Sequence, residues 1–179
     1  MRRARRRNLT RYLEQMRERR PTWLLVGEAP GYRGCRVTGV PFTSESILLA
    51  GASPFDLFGE SAGFLPAEDG GRRREASASI MWGTLVELDA LPLLWNAFPF
   101  HPHQPGRPDS NRPPRASELE TGRPTALALI EMYAIERVIA VGNKASAALA
   151  RWGIPADKVR HPVHGGRAAF RRQLADLFG

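Results

Sequence analysis

The sequence predicts an α/β fold: a three-layer α/β/α sandwich around a central, mostly parallel four-stranded sheet. Three observations predict it. Short apolar runs at 22–26, 91–97, 137–141 and 158–160 have strand length, and each ends at a Gly, Asn or His. The segments between them carry apolar residues at spacings of three and four, the period of a helix with one buried face. Strands that alternate with helices pair in parallel and are covered on both faces. A chain of 179 residues, 42% of them hydrophobic, is one domain by size and has enough apolar material for a core.

Taken in order, residues 1–20 form a basic arm, and 21–179 form the body. Residues 2–7 are almost all arginine and are expected to be mobile. Asn8 or Thr10 then caps a helix to about residue 19, in which Leu9, Leu13 and Met16 make an apolar stripe that docks on the body. Pro21 stops this helix, and the first strand follows. A short helix over 45–50 is capped by Thr43 or Ser44. Residues 51–79, rich in Gly, Ser, Pro and charge, read as a long, partly disordered loop or insertion containing Arg72, Arg73 and Arg74. The helix over 77–90 is capped by Ser77 or Ser79 and places Ile80, Met81, Leu85 and Leu88 on one face.

The second strand, 91–97, leads into a Pro-dense loop that runs to 115. A helix over 117–134 starts at Ser117, with Glu118 and Glu120 in its first turn, where the helix dipole favours acids. The third strand, 137–141, is followed by an Ala-rich helix over 144–151 and a fourth strand over 158–160. A helix from about 166 to 178 closes the chain.

The charge is concentrated. Of the net +8, the first twenty residues hold +7, from nine arginines against Glu14 and Glu18. A concentrated basic arm is the footprint of a polyanionic partner, most simply nucleic acid. No apolar run has membrane-spanning length, and no apolar stretch follows the arm as in a secretory signal. The single cysteine, Cys35, excludes an internal disulfide and any all-cysteine metal site, and it fits a reducing, cytoplasmic and nucleoid-associated setting. His101 with His103 and His161 with His164 lack the helical i, i+4 spacing of a zinc motif, because prolines interrupt both pairs.

The chemistry gathers at the strand ends. Gly27-Glu28-Ala29-Pro30-Gly31 ends the first strand in a sharp turn and holds Glu28 at its carboxyl end, where open α/β sheets bind ligands. A second loop, Gly39-Val40-Pro41-Phe42, presents an aromatic ring. Asn96 and His161 end two further strands. Parallel strands place their carboxyl ends together, so Glu28, Phe42, Asn96 and His161 should converge. An amide reads the edge of a pyrimidine, an imidazole beside a carbonyl stabilises arriving charge, and a carboxylate orients water or a developing cation.

At these residues the sequence resembles the uracil-DNA glycosylase superfamily. GEAPG at 27–31, GVPF at 39–42, Asn96 at a strand end and His161-Pro162 occur in the family's order. The likeness is greatest to the iron–sulfur branch, through GEAPG, NAFPFHP at 96–102 with NRPP at 111–114, and VIAVGNKASAAL at 138–149. The resemblance implies a monofunctional, monomeric DNA glycosylase that removes uracil or a related deaminated base from an extruded nucleotide. By the same resemblance, Phe42 would stack on the base and Asn96 would bond its Watson–Crick edge. His161 would stabilise charge at O2, and Glu28 would position water or stabilise the sugar cation. Gly27, Ala29 and Gly31 would line the base site, and Arg112, His164 and Arg167 would contact DNA.

The sequence also departs from the family. The cluster cysteines are missing, so neither an iron–sulfur cluster nor any other cofactor is expected. Ala29 stands where other branches carry Asp or Asn, and Gly31 where the most uracil-selective branch carries a Tyr that excludes the thymine methyl. The segment 162–167 lacks the Ser and the bulky apolar wedge often found there. Ala29 and the altered loop after His161 support an alternative: a non-catalytic nucleic-acid-binding member of the fold that keeps the pocket.

Overall fold

The structure is a computed structural model that describes residues 2–67 and 73–179. Four strands form one parallel sheet in the order β2-β1-β3-β4: β1 (Trp23–Gly27), β2 (Leu93–Asn96), β3 (Arg137–Val141) and β4 (Asp157–Val159). The β1 and β2 runs are buried almost throughout, as expected of parallel strands covered on both faces. Among the described residues, seven helices flank the sheet: α1 (Arg2–Arg19), α2 (Cys35–Thr38), α3 (Glu45–Ala50), α4 (Ala76–Glu87), α5 (Ala116–Met132), α6 (Asn143–Arg151) and α7 (Arg167–Phe178). This is the expected three-layer α/β/α arrangement, with the sheet parallel throughout.

Several local expectations change. Residues 2–7 are helical, so α1 begins at Arg2, and Asn8 lies inside the helix. Asn8 is fully buried. Its Nδ2 donates to the Thr38 and Leu65 carbonyls (2.9 and 3.0 Å), and its Oδ1 accepts from the Leu65 N–H (2.9 Å). A tertiary task thus replaces the cap. The docking stripe is led by Tyr12 and Met16, both fully buried, with Leu9 and Leu13 partly buried beside them. The Tyr12 hydroxyl accepts the Leu94 N–H at 2.8 Å, joining α1 to the middle of β2.

The predicted serine caps make no capping bonds. Ser44 holds the N-cap position of α3, but its hydroxyl pairs with the Ser46 hydroxyl. Glu75, not a serine, occupies the N-cap of α4, and Arg115 that of α5, where the Glu118 carboxylate accepts the Arg115 N–H.

The described part of 51–79 is not loose. Phe58 packs against Tyr12, Phe64 and Trp82 with ring centroids 6.0, 5.4 and 5.1 Å apart. Glu45 is completely buried, and its carboxylate accepts the Ala67 and Arg73 N–H groups and pairs with the Arg73 guanidinium. This one carboxylate holds both described ends around 68–72 and returns the chain to Glu75. Of the arginine triplet, Arg72 lies outside the described residues, Arg73 is bound to Glu45, and Arg74 is exposed.

Candidate base-binding site

Strand register sets the site. Gly27 pairs with Asn96 at the carboxyl ends of β1 and β2, so the GEAPG turn and the Asn96 side chain leave the sheet side by side. The β3–β4 pair ends at Val141 and Val159, and His161 follows two residues later. A cavity of about 160 Å³ opens at this edge. That is less than the roughly 300–1,000 Å³ of pockets for drug-sized ligands, and it suits a single small ring. Glu28, Ala29, Gly31, Phe42, Asn96 and His161 all line it, as the sequence predicts. Gly27 lies directly behind: a Cβ there would collide with the Phe42 ring and come within 2.8 Å of the Asn96 amide oxygen.

Phe42 is held in place. Its backbone is left-handed (φ 51°), a conformation that costs a bulky residue about 1–3 kcal/mol and persists only where the surroundings impose it. The Trp82 indole donates to its carbonyl at 3.1 Å, so the aromatic cluster under 58–64 fixes the backbone that carries the ring. Asn96 is 5% exposed, yet among the described residues its amide has only a 4.0 Å contact with the Cys35 sulfur. A buried amide without a good protein partner is poised for a ligand.

The ionisable groups differ. Burial raises the Glu28 carboxyl above its ordinary value, and Lys144 opposes the shift. Burial lowers His161, and His164 and Arg160 add to the effect. The His161 Nδ1 accepts the Val163 N–H (3.4 Å), which leaves Nε2 to carry the proton of a neutral ring, a donor for a carbonyl oxygen. Burial pushes the Cys35 thiol up, and Glu75 adds to this, so it is a poor nucleophile.

Four pocket residues come from outside the predicted set: Pro30, Cys35, Glu75 and Ser77. Glu75 and Ser77 reach the site from the far end of the 51–79 segment, and no spacing in the sequence marks them. His101 supports the motif loop from behind, through a 2.8 Å hydrogen bond between Nδ1 and the Pro30 carbonyl. Asn111, from the NRPP segment, accepts the Tyr32 N–H at 3.1 Å and so ties that segment to the GEAPG turn.

The predicted DNA-contact residues are placed unequally. His164 and Arg167 are exposed on the loop after His161 and at the start of α7. Arg112 is committed within the protein: its guanidinium forms two bonds to Glu118 (2.6 and 2.7 Å) and a third to the His103 carbonyl. A wider groove of about 490 Å³ starts at Pro30 and Cys35, beside the first cavity. Arg2, Arg5 and Arg6 of α1 line it with Arg36 and the exposed ring of Phe100.

One cysteine cannot supply the thiolates of an iron–sulfur cluster, so the donor set does not fit that group. Among the described residues, no three His, Cys, Asp or Glu side chains gather as metal ligands, and no helix is long and apolar enough to cross a membrane.

A parallel α/β/α sandwich with a ring-sized polar pocket at its strand ends defines an α/β protein with a small-ligand site at the carboxyl edge of its sheet. The sequence match is more specific: residues 14–171 match the Uracil DNA glycosylase superfamily, and the chain belongs to that family. No curated protein matches the chain.

Proposed function

We propose that this protein is a monofunctional DNA glycosylase that hydrolyses the N-glycosidic bond of uracil or a related deaminated base. The observation that carries the reading is Asn96: a buried amide without a good protein partner, at the edge of a ring-sized cavity shared with Phe42, Glu28 and His161. The target nucleotide leaves the stack before chemistry, because its bond is inaccessible in a duplex. Phe42 then stacks on the base and Asn96 bonds its edge. As the C1′–N bond breaks, its electron pair passes to the base. The His161 Nε2–H bonds the O2 atom where negative charge collects. Glu28, ionised, stabilises the sugar cation and orients the water that adds to C1′; the proton this water gives up ends on the released base anion, and Glu28 returns ionised.

The groove beside the cavity supports a DNA substrate. Arg2, Arg6 and Arg36 offer charge to phosphates, and Phe100 offers a stacking face to an unpaired base. Such contacts give affinity and salt dependence without base selectivity.

The test is a nicking assay on oligonucleotides that carry uracil, hypoxanthine, xanthine or a thymine mispair, treated with alkali to cleave abasic sites. Alkali-dependent breaks at one or more of these bases are expected. Tight binding with no break at any base would instead establish the non-catalytic member of the fold.

A further inference from the structure

Glu75 belongs to the same cavity, and the mechanism above does not use it. Its backbone is fixed as the N-cap of α4, where its carbonyl accepts the Ser79 N–H and hydroxyl at 3.0 and 3.2 Å. Its side chain runs back against the motif loop. A Cβ placed on Gly31 would collide with one carboxyl oxygen, and a Cβ on Gly34 with the other. The carboxyl therefore fills the space that side chains at 31 and 34 would take, and it does so beside Cys35, whose sulfur contacts the Asn96 amide.

Among the described residues no cation pairs with Glu75. Burial raises its carboxyl, and a contact with the Ser77 side chain only partly opposes this. A carboxyl held out of water with no counter-ion is a cost to the fold. Such a group in a cleft is a candidate for function. A purely structural wall at this place would be met at less cost by an apolar side chain.

We infer that Glu75 is a specificity-determining residue: a second base-reading group, which selects bases that present a hydrogen-bond donor to the Gly31–Gly34 wall. The donor can be a ring N–H, an exocyclic amino group or a hydroxyl on a ring substituent. The inference rests on the reading of this cavity as a base pocket, but not on the protein's being catalytically active. Gly31 supplies the room, and Glu75 makes that wall polar. A base with only a carbonyl or methyl there meets an acceptor, or burial of a carboxylate with no partner, and is disfavoured.

The experiment measures equilibrium binding of the full chain, as parent, Glu75→Gln and Glu75→Ala. The probes are oligonucleotides with one non-cleavable 2′-fluoro nucleotide carrying uracil, thymine, 5-hydroxymethyluracil, hypoxanthine or xanthine. Circular dichroism and melting of each variant confirm the fold. Glu75→Ala should cost the parent's best donor-bearing base about ten- to a hundredfold in Kd. Carbonyl- and methyl-edged bases should be unchanged or tighter. Glu75→Gln, whose amide also donates, should shift preference toward carbonyl-edged bases. A variant damaged only in structure would lose all bases alike. Uniform loss, an unchanged ranking, or a parent that binds every base equally would overturn the inference. Re-ranked binding by a parent that cleaves nothing would sustain the role of Glu75 while defeating the proposed hydrolysis.

Discussion

The two sides of the pocket are built differently. On one side, Asn96, Glu28 and His161 follow the ends of parallel strands, and the sheet register sets their positions. On the other side, Glu75 and Ser77 come from the chain before and within the first turn of α4, brought home by the buried Glu45 carboxylate and an aromatic cluster. Strand ends are stiff, because neighbouring strands share their hydrogen bonds along the whole edge. A wall delivered by a loop depends on a few side-chain contacts far from the site. On the proposed reading, the fold places the chemistry of bond cleavage on rigid elements and leaves the choice of base to a segment that sequence change can alter without disturbing the sheet.

The largest effect that would break this comparison is on the rigid side. Asn96→Ala removes the amide proposed to meet the base edge, and an unpaired base edge costs a few kcal/mol, on the order of a hundredfold in kcat/KM. The loss should fall on every base that the parent cleaves, unlike the re-ranking expected from Glu75. Single-turnover kinetics on each substrate will separate the two, and a selective loss from Asn96→Ala would show that the strand side also tunes specificity.

A smaller effect concerns pH. In the proposed mechanism Glu28 works ionised, so activity should fall as pH drops through a value above the group's ordinary one, because burial raises it. Glu28→Gln should lower kcat and remove that acid limb from the pH–rate profile. The sign for stability is opposite. A carboxyl raised in the folded state contributes stability below its unfolded pKa, about 4.3, and loses that contribution as pH rises through the folded value. At neutral pH the ionised Glu28 therefore costs stability, and Glu28→Gln should melt higher than the parent at pH 7. An acid limb that persists in the glutamine variant would assign it to another group.

The smallest expected effect on catalysis comes from behind the rigid side. The Tyr12 hydroxyl satisfies the buried N–H of Leu94, two residues before Asn96. Tyr12→Phe leaves that N–H without a partner, at about 1–3 kcal/mol. For a domain of this size the melting temperature should fall by roughly 2–4 °C per kcal/mol, while the ranking of bases stays as in the parent. A re-ranking would mean that β2 shifts when its clamp is lost.

Much of this molecule is legible in its residues in order. Apolar runs of strand length between amphipathic segments dictate a parallel sheet, because buried strands must pair and buried helices must cover them. Once the sheet is parallel, Glu28, Asn96 and His161 have to meet, and the Gly27 position next to Asn96 follows from register alone. The basic face of α1 is legible as charge, but its inner face is less so. Tyr12 lies outside the Leu9, Leu13 and Met16 stripe, and Asn8 reads as a cap because a buried asparagine inside a helix needs partners that no local pattern reveals.

Tertiary structure alone decided the rest. Glu75 follows a loop whose sequence suggests disorder. It reaches the pocket because Glu45 gathers Ala67 and Arg73, and because Gly31 and Gly34 leave space for its carboxyl. The resemblance implies that Arg112 contacts DNA, while in the fold Glu118 binds its guanidinium. The physical reason is the same in both cases. Periodicity and strand order are local or collective properties written along the chain. The partner of a buried carboxyl or a guanidinium is set by the three-dimensional meeting of distant segments, and a single sequence carries no spacing for it.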